Sequence, residues 1–303
     1  SKVQGEPLFE IFVNYAEVTR RVKGLVPDEW LEALHELGLD SLNGEYMAST
    51  VRDGASFDTI YLDMPGERRG LAAIPTPPIG DDVLKLVPKN AALAMAARSD
   101  LAPVWDGIWN AVLKLGPARE LAFMKRGLER TEQRIGFKIR EDLIAALGDA
   151  WLGYVEMPRN GMIPNVVLSV DVRERAKVEQ VLAAILERAR GVSVRDVAFG
   201  EHTLKVVSLG RRSVVSPSYA FVGDRLWVSL FPSGLKQAIQ HQSRGGKSLL
   251  DNAEFQSTFA KLDRTRAELV WFFDARLAAA FGYDWVENFG PGLVPEDELP
   301  VDL

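Results

Sequence analysis

An apolar run at Ala91–Leu113, AALAMAARSDLAPVWDGIWNAVL, reads as a β-strand that passes straight into a helix. The same pattern recurs without gaps at two other places. Phe12–Val18 (FVNYAEV) lies over Met95–Leu101 (MAARSDL), and both lie over Trp271–Leu277 (WFFDARL). In each, a hydrophobic strand meets a small residue (Ala16, Ser99, Ala275), and an aliphatic residue two positions later opens a helix. A recurring strand-into-helix junction predicts an internally repeated architecture, with the chain cut part-way through a repeat at both ends.

Around these junctions the periodicity alternates between groups of strands and groups of helices. Strands are expected at Leu8–Val13, Tyr46–Val51, Phe57–Met64 and Gly70–Ile74, with Arg52-Asp53-Gly54 as a hairpin turn. Further strands are expected at Trp151–Met157 and Asn165–Val172, joined around Pro158-Arg159-Asn160-Gly161. Others follow at Val192–Phe199, Thr203–Ser208, Tyr219–Val222 and Leu226–Leu230, with Gly223-Asp224 turning the last pair. Helices are expected over the Trp30–Leu37 face, and over Ala118–Gly136 with Leu121, Met124, Leu128 and Ile135 as a buried stripe. A short helix at Arg140–Leu147, stopped by Gly148, and a longer one at Arg175–Ala189 complete this set. The class is therefore α+β, antiparallel sheets with helices packed on one face. Pro75-Thr76-Pro77-Pro78 is the clearest punctuation and predicts a stiff connector. It divides the chain into a partial module at 1–78, a full module at 79–289 that includes the start of a next unit, and an acidic, proline-rich tail or linker at 290–303.

Composition narrows the function classes. The chain has 303 residues, 47% hydrophobic and 26% charged, enough for a sizeable core. A net charge of −6 argues against sequence-independent binding to nucleic-acid phosphates. With no cysteine, disulfides, thiolate metal sites and a cysteine nucleophile are excluded. No apolar run approaches the ~18 residues of a membrane span, and no signal peptide is visible.

No motif specifies a reaction. Gly245-Gly246-Lys247-Ser248 resembles the end of a phosphate loop, but His241 stands where the first glycine is needed. It reads as a turn before a helix start. His35, His202 and His241 each lack a second ligand at helical or hairpin spacing. Asp81-Asp82 and Glu141-Asp142 fall near helix N-termini, where the dipole favours negative charge. Ser169, Ser208, Ser216 and Ser218 lack a nucleophile elbow. No catalytic residue, metal ligand or cofactor is assigned. The aromatic residues are the remaining candidates. Trp105 and Trp109 are four apart on one helix, and Trp271, Phe273, Trp285 and Phe289 crowd the last element. Beside a packed core, they suggest an apolar groove or an interface.

Certain signatures resemble a family of uncharacterised bacterial extracytoplasmic proteins, known only as a domain of unknown function. They are Pro88-Lys89-Asn90-Ala91 leading into a strand, Gly136–Leu143 followed by Leu147-Gly148, the hairpin Tyr219–Val228, the segment Ser248–Phe255, and the closing strand with Asp274. The likeness covers Pro88–Ala280, with Leu8–Ile74 as the tail of a preceding unit. It implies an envelope or secreted setting and carries no catalytic residues across. The first expectation is a non-catalytic module acting through a protein partner or self-association. The alternatives are a carrier of a lipid-like ligand and, with least support, a hydrolase of unknown substrate.

Overall fold

The computed structural model describes residues 7–52, 55–158, 163–210, 213–260, 262 and 266–289. In chain order the elements are β1 (Pro7–Asn14), α1 (Tyr15–Val22), α2 (Asp28–Glu36), β2 (Gly44–Arg52), β3 (Ala55–Asp63), α3 (Asp81–Leu84) and β4 (Leu93–Arg98). Next come α4 (Leu101–Leu115), α5 (Ala118–Ile135), β5 (Leu147–Glu156), β6 (Asn165–Val172), α6 (Arg175–Arg188), β7 (Ser193–Phe199) and β8 (His202–Ser208). The last are β9 (Ser218–Val222), β10 (Arg225–Ser229), α7 (Pro232–Arg244), α8 (Ala253–Phe259), β11 (Leu269–Phe273) and α9 (Ala275–Phe289). The fold is α+β and its strand pairs are antiparallel.

The chain divides into two compact units, each discontinuous: residues 1–75 with 100–133, and residues 76–99 with 134–303. A single boundary at 78 therefore does not describe where α4 and α5 pack.

The first unit holds a three-stranded sheet in the order β1-β2-β3. Its third strand is β1. Residues 70–73, expected to be a strand, form a 3-10 turn instead. The reason is local. Gly70 adopts φ 53° and Gly38 adopts φ 75°, and the two backbones are packed against each other. A Cβ on Gly38 would lie 1.9 Å from the Arg69 carbonyl oxygen, and one on Gly70 would lie 2.2 Å from that of Glu36. The Leu71 amide donates to the Leu37 carbonyl at 3.1 Å, which closes the contact. Helix α4 packs on α2, with Lys114 reaching Glu32 at 3.2 Å and Gly107 admitting the Leu71 side chain. On α5 the predicted stripe is only partly inward: Ile135 is buried, whereas Met124 is exposed.

The second unit is an eight-stranded sheet in the order β11-β4-β5-β6-β10-β9-β8-β7. Alternation along each strand sends one set of side chains to an inner face. Ala94, Ala96, Leu152, Tyr154, Val167, Trp227, Val270 and Phe272 meet Val83 and Leu84 of α3, Leu235 and Ile239 of α7 and Phe255 of α8 there. The other set meets a second layer made by α6 and a π-type turn at Ile139–Ile144. Helices thus cover both faces of this sheet rather than one. Arg225 ties three strands together, donating to Ser169 Oγ at 3.0 Å, to the Ala150 carbonyl at 3.0 Å and to the Asp171 carboxylate. Gly148 does not stop a helix. It lies in the bulged start of β5, where a Cβ would come 2.4 Å from that of Asp171. The turns expected at 53–54 and 159–161 fall outside the described residues.

Three strand-into-helix junctions are present, at β1–α1, β4–α4 and β11–α9. A polar side chain caps each helix, but at a different offset in the aligned window. Asn14 accepts from the Glu17 amide, Asp100 from that of Ala102, and Asp274 from those of Arg276 and Leu277. The likeness is one of junction type. It does not establish repeated modules.

Candidate functional site

The six aromatic residues picked out by sequence are divided between the two units. Trp105 and Trp109 belong to the first unit and stack along α4, with ring centroids 6.1 Å apart and planes at 10°. Both are half-buried. Trp285 is half-buried on α9, and Phe289 is the last residue of that helix. Trp271 and Phe273 lie on β11 and form part of an open apolar surface.

That surface follows from alternation. On β11, Val270 and Phe272 point inward, where the Phe272 ring meets Phe255 edge-on at 5.6 Å. Leu269, Trp271 and Phe273 point to the outer face and are 59%, 62% and 49% exposed. One cross-strand row carries the surface across the sheet. Trp271 stands opposite Met95, Met95 opposite Gly153, Gly153 opposite Leu168, and Leu168 opposite Val228. Met95 and Leu168 are also about half exposed. Gly153 keeps the row level: a Cβ there would meet the Leu168 side chain at 2.8 Å. Val228 and its neighbours Tyr219 and Phe221 pack beneath α6. Helix α6 and the turn at Ile139–Ile144 therefore cover part of the outer face, including Val170 and Val172 of β6, and the apolar row from Trp271 through Met95 to Leu168 is exposed.

The two edges of the sheet differ in the same sense. The terminal strand β7 carries Arg195 and Asp196, and Asp196 pairs with Lys205 at 2.8 Å. Charges of this kind discourage strand addition. The other terminal strand, β11, reads LVWFF and carries none.

A concave feature of about 920 Å³ lies between α6 and strands β7, β8 and β9. Its charges are mostly spent on one another. Arg175 pairs with Glu179 at 2.8 Å and stacks over the Phe221 ring at 5.0 Å, and Lys205 pairs with Asp196. Burial pushes the Tyr219 phenol up, with Lys205 opposing. These groups form a satisfied polar wall.

The other sequence candidates have structural roles. His35 Nδ1 lies 2.8 Å from Asp40, and His241 Nε2 lies 3.1 Å from the Lys85 carbonyl oxygen. Gly245, at φ 61°, ends α7, and Ser248 forms a capping box with Asp251. Asp82 pairs with Arg98 at 2.9 Å, and the Asp142 carboxylate accepts from the Lys138 amide at 2.7 Å. Ser169 and Ser218 are buried in the sheet. Among the described residues, no group of three or more histidines and carboxylates is placed to hold a metal, and no helix is long and apolar enough to cross a membrane.

Neighbouring positions on the open face, Met95 and Leu168, were not singled out by sequence. Their signal is weak, because an outward apolar residue on a sheet resembles an inward one until the register is known. Compared with protein-family models, with curated proteins and with solved structures, the chain matches none.

Proposed function

We propose that this chain is a non-catalytic module that works by protein–protein contact, docking a partner on the exposed apolar row of its large sheet. The observation that carries the reading is the row Trp271–Met95–Gly153–Leu168, which presents a large aromatic and two long aliphatic side chains to solvent on a rigid, level surface. An exposed tryptophan within an apolar patch is a common anchor of a protein interface. The uncharged edge of β11 adjoins the patch and offers unpaired backbone groups to a strand of the partner. A flat sheet face covers one side of an acyl chain and leaves the other in water, which favours a protein occupant over a lipid-like one. An extracytoplasmic setting and a tandem arrangement belong to the same proposal; they rest on the family likeness and on the recurring junctions.

The test is native mass spectrometry on the protein isolated gently from its own source, alongside a Trp271→Glu variant. The expected result is added protein mass, either a second copy or a foreign subunit, that Trp271→Glu removes. A bare monomer mass, or an assembly indifferent to Trp271→Glu, overturns the reading. An adduct of small-molecule mass that denaturation releases replaces it with the carrier.

A further inference from the structure

The second unit holds a polar cleft with different chemistry from the apolar face, at the end of β5 and β6. The inward-facing series on β5 runs Leu152, Tyr154, Glu156, and that on β6 runs Val167, Asn165 toward the same end. Glu156 and Asn165 stand directly opposite each other. The core rows deeper in the sheet are largely apolar, and this last row is a carboxylate facing an amide. Glu156 Oε2 and Asn165 Nδ2 are both buried and have no hydrogen-bond partner among the described residues. An orphaned buried polar atom costs about 1–3 kcal/mol, so two on one cross-strand pair call for an explanation.

The surroundings are built rather than incidental. Asn165 Oδ1 accepts from Ser229 Oγ at 3.1 Å, and Ser229 Oγ accepts from the Phe231 amide at 3.3 Å. With that bond made, Nδ2 is the end of the amide left without a partner. Gly234 makes room for that amide against the first turn of α7, where a Cβ would lie 2.0 Å from Oδ1 and 2.1 Å from Nδ2. The cleft has a volume of about 720 Å³, within the ~300–1,000 Å³ usual for small-molecule sites. One face of α7 lines it with Gln237, Gln240 and Arg244, spaced by three and four residues. Phe231, Met157 and Ile163 supply an apolar wall.

We infer that this cleft binds an uncharged, hydroxyl-rich ligand with an apolar face, that is, a saccharide. The chemistry excludes the other common classes. A single carboxylate does not make a divalent-cation site. A phosphate would meet Glu156, and an apolar ligand would leave both orphaned atoms unsatisfied. A hydroxyl group donates to Glu156 Oε2 and accepts from Asn165 Nδ2. The glutamine amides on α7 extend the same donor–acceptor pattern, and the Phe231 wall suits the C–H face of a sugar ring.

The test is saturation-transfer NMR on the full chain with glucose, galactose and N-acetylglucosamine as probes. The expected result is transfer to the ring protons of at least one sugar, lost in Glu156→Met and weakened severalfold in Gln237→Ala. Glu156→Met removes a buried carboxylate, and Gln237 is exposed, so the second variant keeps the fold even if the first does not. No transfer from any of the three sugars overturns the proposal. So does binding that both variants leave unchanged.

Discussion

Met95 lies directly opposite Trp271 in the β4–β11 pair, and both side chains point to the outer face of the sheet. Neither contributes to the inner core. Trp271→Glu is therefore expected to leave stability within about 0.5 kcal/mol of the parent while removing assembly. Thermal denaturation and sedimentation velocity on the same sample check the two halves of this statement. A large loss of stability would show that the face is covered within the folded chain.

One residue along the same strand the expectation reverses. Phe272 is 6% exposed and meets Phe255 edge-on. Phe272→Ala should cost about 3–5 kcal/mol through lost burial and the cavity left behind. Urea denaturation measures it directly, and a cost below about 1 kcal/mol would contradict the inward orientation of this side chain.

The Gly38–Gly70 contact predicts a third outcome. Both residues adopt left-handed backbone, and a side chain on either would enter the other's backbone. Gly38→Ala and Gly70→Ala should each destabilise the first unit by more than the roughly 1 kcal/mol of left-handed strain alone. Hydrogen exchange localises the effect: protection should fall in α2 and β2 and persist in β5 and β6.

Glu156 sets a pH dependence. Burial raises its carboxyl above the ordinary value, with the Asn90 side chain opposing. The folded chain thus holds this proton at pH values where the unfolded chain has lost it. Stability from this group is fully present below the unfolded pKa and is lost as pH rises through the folded one. Glu156→Gln removes that loss. Its melting temperature should exceed the parent's at about pH 7, and the gap should close toward about pH 4, near the unfolded value. A gap that is constant with pH would mean that the carboxyl is not desolvated.

Much of the fold is legible in residue order because its signals are local. Gly223-Asp224 turns β9 into β10, and Arg175–Arg188 shows its buried Val178 and Val181 at helical spacing. Gly70–Ala73 misleads because its apolar run looks like a strand, while the positive φ of Gly70 is imposed by Gly38, some thirty residues earlier. The open apolar face is half legible. Trp271 and Phe273 stand out by type, but Met95 and Leu168 join them only through register. Glu156 and Asn165 are illegible for a stronger reason. Each reads as the polar end of a strand facing solvent, and only the alternation from Tyr154 and Val167 turns both toward the interior.

The discontinuity of the two units has a consequence for anyone who cuts the chain. The polypeptide crosses between them three times, after Pro75, Ser99 and Gln133. A cut after Pro75 frees residues 1–75 of the first unit but leaves its residues 100–133 in one piece with the second. No contiguous stretch of sequence contains all of the first unit and none of the second. A truncation from the N-terminus removes residues 1–75 of the first unit yet leaves 100–133 behind, and a chain that keeps only the unit of the large sheet lacks residues 1–75 and joins Ser99 to Arg134 through a short loop.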